Sequence, residues 1–153
     1  GLPRFCDDGT GVLFVENSGG KLGLVAFDLK TQQRRVLRTG QVTGFKQSPV
    51  RDRVLIVASY KIVQVAPSWD ADPVLAWKPH AGLIRDADWS PDGKRIVTAG
   101  HDGTAAVWDA DTGRELLRLR RHEATVVRAE FSPDGKTILT AGQDGKGILW
   151  KTE

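Results

Sequence analysis

The amino-acid sequence predicts an all-β protein made of about four stacked, four-stranded antiparallel sheets. Two observations carry that prediction: a repeat with a period of 42 residues, and hairpin-turn chemistry spaced evenly within each copy. "SPDGKRIVTAGHDGTAAVW" (90–108) returns as "SPDGKTILTAGQDGKGILW" (132–150), and "HAGLIRDADW" (80–89) returns as "HEATVVRAEF" (122–131). Fourteen of the thirty-two residues in 80–111 are identical one period later. One period earlier, "SPVRDRVLIVAS" (48–59) keeps Ser48, Pro49 and Val54 in register. Earlier still, "CDDGTGVLFVEN" (6–17) keeps Asp8, Gly9 and Val12. The four copies occupy approximately 1–40, 41–79, 80–121 and 122–153.

The third copy shows the elements most plainly. Short β-type stretches are expected at about 83–89, 94–100, 104–109 and 114–119. "SPDG" between the first two places proline at the second turn position and glycine where a positive φ is required. Asp102-Gly103 turns the second stretch into the third, and Asp111-Thr112-Gly113 turns the third into the fourth. No segment sustains a 3.6-residue apolar period, so helices are not expected. The fourth copy stops after its third stretch, "ILWKTE". In the first copy, Phe27-Asp28 stands where Trp108-Asp109 stands in the third, after an insertion of about three residues in "NSGGKLG". A four-stranded meander cannot bury both faces alone, and this drives the copies to stack.

Composition excludes several classes. The net charge of +3 and pI near 9.2 are mildly basic and give only weak evidence for a nucleic-acid partner, since a dedicated nucleic-acid binder concentrates more positive charge on one face. The single cysteine, Cys6, permits no internal disulfide and no Cys-based metal set, and it fits a reducing, cytoplasmic setting. "VLIVA" (54–58) is the longest apolar run and is too short to span a bilayer, so a soluble chain is expected. With no methionine at all, the sequence reads as processed or excised material.

The period in the low forties, the histidine ahead of the first strand, "SPDG", and Asp-Gly followed by Trp-Asp together resemble the WD-repeat β-propeller family. The resemblance covers essentially the whole chain and is most specific over 80–153. It implies one hydrogen-bonded network inside each complete blade: His80, Thr98, Asp102 and Trp108 in the third copy, and His122, Thr140, Asp144 and Trp150 in the fourth. Pro79 and Arg121 replace the glycine usual before the histidine. In the second copy Tyr60 and Ala66 take the aspartate and tryptophan positions, and Gln41 and its neighbours supply no histidine, so that network is absent.

The same logic stands on physical grounds. A buried aspartate needs hydrogen-bond donors, and an indole N–H needs an acceptor. A Thr/His/Asp set also invites a hydrolase-like reading, but a lone catalytic centre would not recur one repeat later. No catalytic residue is therefore assigned, and no cofactor. "GKT" (135–137) is no phosphate loop, because residue 130 is glutamate rather than glycine. "HEATV" (122–126) is no zinc-protease helix, because Val126 fills the second histidine position. Three scattered histidines make no zinc set, so no metal is expected. Asn17, followed by Ser-Gly, is not a glycosylation acceptor. "RELLRLRRH" (114–122), with Arg114, Arg118, Arg120 and Arg121, reads as an outer strand with a solvated basic edge.

The expected role is a non-catalytic scaffold that binds other proteins through loops at one end of the stack. The variable residues expected on that face are Tyr60, Lys61, Lys78, His101, Arg121 and Gln143. By side-chain alternation Asp86, Asp88, Arg128 and Glu130 are placed towards a central channel. Two alternatives remain: an accessory propeller domain of a larger enzyme or signalling protein, and a propeller enzyme of hydrolase or lactonase type. Four copies are expected to form the C-terminal part of a larger, seven- or eight-bladed propeller, since "GLPRF" with Pro3 is too short to complete the last blade. A homodimer closing an eight-bladed ring is the other route, and nucleic-acid and membrane partners are not expected.

Overall fold

The computed structural model describes residues 4–5, 11–18, 21–39, 42–50, 53–67 and 72–152. Pro3, Cys6, Asp8, Gly9 and Gln41, on which expectations above were placed, lie outside the described residues. All regular structure among the described residues is β, in four antiparallel sheets that follow one another along the chain.

The first sheet comprises β1 (Arg4–Phe5), β2 (Gly11–Ser18), β3 (Lys21–Asp28) and β4 (Arg34–Thr39). The second holds β5 (Val42–Gln47), β6 (Val54–Ala58), β7 (Ile62–Ala66) and β8 (Leu75–Trp77). The third holds β9 (Ile84–Trp89), β10 (Arg95–Gly100), β11 (Ala105–Asp109) and β12 (Glu115–Leu119). The fourth has three strands, β13 (Val126–Phe131), β14 (Thr137–Gly142) and β15 (Gly147–Lys151). Each sheet is a meander, with consecutive strands paired. Register repeats with the sequence: Ile96 faces Trp108 in the third sheet, and Ile138 faces Trp150 in the fourth.

Side-chain alternation explains the stacking. Ile96, Ala106 and Trp108 point from one face of the third sheet into Leu55, Val57, Val63 and Val65 of the second. Val97, Ala99, Ala105 and Val107 leave its other face and pack on Val126, Ala129 and Ile138 of the fourth. Leu24 of the first sheet meets Val54, Ile56 and Ala66 of the second in the same way. Both faces of the middle sheets are thus buried, which accounts for runs such as "VLIVA" with no polar alternation. Such layering is the propeller arrangement. β9 packs closely against β13, while β5 approaches β9 less.

Turn chemistry accounts for the strand boundaries. Ser90 and Ser132 donate their hydroxyls to Asp92 and Asp134 at 2.5 and 2.6 Å, inside turns closed by Gly93 and Gly135 at φ 64° and 69°. The second sheet lacks this device. Val50 stands where the carboxylate would be, and the buried Ser48 hydroxyl has no partner among the described residues. Asp109 caps the next turn by accepting from the Asp111 and Thr112 amides, and Asp28 does the same for Lys30 and Thr31.

Candidate functional site

Within the third sheet, four side chains from the four-residue set form a continuous hydrogen-bonded chain. The Trp108 indole N–H donates to Thr98 Oγ1 at 2.9 Å, and Thr98 Oγ1 lies 2.8 Å from His80 Nε2. His80 Nδ1 lies 3.1 and 3.2 Å from the two Asp102 oxygens. The arrangement assigns a neutral ring: Nδ1–H donates to Asp102, and Nε2 accepts the Thr98 hydroxyl. Burial holds the His80 pKa below its ordinary value, although Asp102 pulls the other way. Asp102 also accepts from the Ala81 and Thr104 amides and from the Thr104 hydroxyl at 2.7 Å. Burial would raise its pKa, but these bonds and His80 hold it below the usual carboxylate range.

The fourth sheet repeats the geometry. Trp150 Nε1 donates to Thr140 Oγ1 at 2.8 Å, His122 Nε2 lies 2.8 Å from the same oxygen, and His122 Nδ1 stands 3.0 Å from both Asp144 oxygens. Burial works against Asp144's charge, but the His122 ring and the Glu123 and Lys146 amides hold its pKa down to about 2. A reactive relay needs its proton-transfer atoms open to substrate. Here His80 and Thr98 are buried and Trp108 is nearly so, and only Asp102 reaches solvent, with its side chain 20% exposed.

Sequence reasoning missed two members of this arrangement. A Cβ on Gly100 would stand 2.4 Å from His80 Nδ1 and 2.6 Å from Asp102 Oδ1. A Cβ on Gly142 would stand 2.4 Å from His122 Nδ1. Only a hydrogen fits where the imidazole lies against the strand. The repeated "TAG" (98–100 and 140–142) was the available signal.

Arg118 requires a correction. It does not belong to a solvated basic edge: its guanidinium lies 5.3 Å from the Trp108 ring centroid, pairs with Glu115, and donates to the Pro79 carbonyl at 3.1 Å. A planar cation covers an apolar ring well, and its stem prefers apolar surface to water. In the fourth sheet Arg121, from the loop before His122, lies 5.9 Å from the Trp150 ring and plays the same covering part.

All six candidate contact residues, Tyr60, Lys61, Lys78, His101, Arg121 and Gln143, are exposed. They lie on turns and loops at one end of the stack. The Tyr60 carbonyl accepts the Ile84 amide at 2.5 Å, joining the second sheet's turn to the strand after Lys78. A Cβ on Gly103 would stand 3.3 Å from the Ala124 carbonyl, so the His101 turn abuts the loop after Arg121. The Tyr60 turn differs from its counterparts. Lys61 replaces Gly103, and the left-handed conformation moves to Ser59 (φ 53°) and Tyr60 (φ 56°), each costing about 1 kcal/mol or more. Of the residues placed towards the channel, Asp86 and Asp88 are half-buried and face Lys46, while Arg128 and Glu130 stand 4.0 Å apart and more open to solvent.

The family model "WD domain, G-beta repeat" matches residues 71–109 and 113–151, half of the chain. The chain belongs to the WD-repeat family. Human eukaryotic translation initiation factor 3 subunit I is 31% identical over 85 residues, covering 54% of this chain and 26% of that protein. Ribosome biogenesis protein ERB1 of Yarrowia lipolytica is 46% identical over 44 residues, covering 29% of this chain and 5% of that protein. The rat intraflagellar transport protein 80 homolog is 35% identical over 75 residues, covering 49% and 9%. The chain thus spans about a quarter or less of the length of these curated relatives. A chain of the crystal structure of the mitotic checkpoint complex matches the fold at a TM-score of 0.76 and 16% identity, over 97% of this chain and 46% of that one. None of these names denotes an enzyme. Among the described residues no helix is long and apolar enough to cross a membrane, and no three His, Cys, Asp or Glu side chains are grouped to hold a metal ion.

Proposed function

We propose that this chain is a non-catalytic WD-repeat scaffold that holds other proteins, with Tyr60, Lys61, Lys78, His101, Arg121 and Gln143 as contact residues. The observation that carries the reading is the contrast between two classes of polar residue. The repeated His, Thr and Trp side chains hydrogen-bond one another or the repeated Asp inside or against the sheets, while six residues that differ between copies stand exposed on one end. Fixed framework with variable turns is how a propeller acquires partners. The relatives whose names describe complexes, an initiation-factor subunit among them, support protein partners as the class. A cytoplasmic setting belongs to the same reading and is supported by the single cysteine.

The test is capture of host proteins by the immobilised chain, compared with a Tyr60→Ala, Lys61→Ala, His101→Ala variant. Loss of the captured set supports this face, and unchanged capture places the contact elsewhere.

A second reading concerns the fourth sheet. Leu139 and Leu149 are 42% and 72% exposed, whereas Val97 and Val107, one period earlier, are buried against the next sheet. That face is read as the seat of a further sheet, from the same propeller or from a second copy that closes a ring. Gel filtration with light scattering separates the two: a monodisperse dimer supports the second copy, and a monomer contradicts it.

A further inference from the structure

The seams between sheets are not equivalent. Between the third and fourth sheets, Asp86 on β9 spans the gap: Oδ1 accepts the Ala87 amide at 3.0 Å, and Oδ2 accepts the Ala129 amide of β13 at 3.3 Å. One period earlier the residue at the position of Asp86 is Gly44, and the residue at the position of Ala129 is Ala87. Gly44 has no side chain to reach the third sheet, and β5 approaches β9 less than β9 approaches β13. The result is a cleft of about 360 Å³ that both Gly44 and Ala87 line.

Its walls are Phe45, Leu55, Val57 and Ile84. Lys46, Arg85 and Asp86 also line it, and together they carry one net positive charge. Lys46 is already engaged, 3.2 Å from Asp88 and 3.8 Å from Asp86. Arg85 is exposed and has no ion pair or hydrogen bond from its guanidinium among the described residues. Tyr60 completes the rim, held there by a turn whose two central residues both adopt left-handed backbone. That is the ordinary geometry of a two-residue hairpin turn, closed by the Lys61 amide on the Ala58 carbonyl at 3.0 Å.

We propose that this seam binds an acidic side chain of a partner protein, an aspartate or glutamate next to an apolar residue. The carboxylate occupies the space that a side chain at position 44 would take and pairs with Arg85. The apolar neighbour enters between Phe45, Leu55, Val57 and Ile84. One carboxylate neutralises the lining charge, and a guanidinium is the cation best shaped to receive it. The inference rests on the reading of the chain as a protein-interaction module and adds a place and a chemistry to it.

The test is a titration of the ¹⁵N-labelled full chain with acetyl-Leu-Asp-amide and, separately, acetyl-Leu-Asn-amide, followed by amide shifts. The acidic dipeptide is expected to bind in the millimolar range with shifts at Gly44, Tyr60, Arg85 and Ala87, and the neutral one about tenfold more weakly. Arg85→Gln, at an exposed position, should bring the acidic dipeptide down to the affinity of the neutral one. Gly44→Asp should fill the cleft from within and abolish binding of both. The position accepts a side chain, since a Cβ there would meet Val57 at 3.8 Å, an ordinary contact. Equal affinity for the two dipeptides, shifts confined to other residues, or an Arg85→Gln variant that binds as before would overturn the proposal. The titration needs no partner, so its failure leaves the capture difference at Tyr60, Lys61 and His101 intact, and failure of that capture leaves the titration intact.

Discussion

Replacing Thr98 by valine changes almost no volume and removes one oxygen, the one at the centre of the third sheet's network. That oxygen receives the Trp108 indole N–H at 2.9 Å and lies 2.8 Å from His80 Nε2. Thr98 is fully buried, Trp108 is 6% exposed and His80 3%, so no water can take the vacated place. Each buried group left without a partner costs about 1–3 kcal/mol, and the extra buried methyl returns under about 1 kcal/mol. The net loss is about 3 kcal/mol, or a fall in Tm of about 6–12 °C for a chain of this size. Thr140→Val is its internal control: Trp150 is only half-buried, so solvent can satisfy one of the two orphaned groups, and the loss should be about half as large. Urea unfolding followed by tryptophan fluorescence reads both. The reasoning is refuted if Thr98→Val costs under about 1 kcal/mol, or if Thr140→Val costs more than Thr98→Val.

Three further outcomes follow from the same geometry. Gly100→Ala, whose Cβ would lie 2.4 Å from the His80 ring, should destabilise by about 3 kcal/mol in the same urea assay, the severe end of overpacking. Val50→Asp should stabilise by about 1 kcal/mol, because it gives the orphaned Ser48 hydroxyl the carboxylate that Asp92 gives Ser90. It removes a side chain that is 58% exposed, so a loss of thermal stability would count against the account. Acidification should weaken the fold in two stages. The His80 pKa is depressed below 6.5, so its contribution is complete above that value, and stability declines as pH falls below it because the unfolded chain takes up the proton first. Asp144, held at about 2 against 3.8 unfolded, keeps its contribution above about pH 4 and loses it as pH falls towards 2. Urea midpoints measured from pH 8 to 2 should show both declines; a flat profile between pH 7 and 5 would contradict the His80 part.

The strands and turns of the third copy were legible because each boundary is written in turn chemistry: the expected 94–100 is β10 (Arg95–Gly100), and the expected 114–119 is β12 (Glu115–Leu119). The four members of the hydrogen-bonded set were legible through the family resemblance: the fixed period repeats the set, but spacing alone does not say which of its residues meet. What the sequence withheld was contact between residues of different elements. Nothing in "RELLRLRR" tells Arg118, which covers Trp108, from Arg114 or Arg120, because guanidinium stacking depends on the place of the ring beneath it. Gly100, which has no positive φ, leaves a gap for an imidazole that only the position of His80 reveals. The Gly44 cleft was invisible for the same reason. A missing side chain matters only when the facing sheet is known, and the significance of Gly44 comes from what Asp86 does one repeat later.

The central claim is that the His/Thr/Asp/Trp sets are closed internal framework, leaving function to the exposed turns and seams. It is tested most directly by the ¹⁵N chemical shifts of the His80 ring, followed from pH 8 to 5 in the intact chain. The account predicts a neutral ring protonated at Nδ1, hydrogen-bonded at Nε2, with no titration midpoint at or above 6.5. A ring that becomes imidazolium with a midpoint at or above 6.5, or that carries its proton at Nε2, would mean a pair open to solvent and proton exchange, and would contradict it.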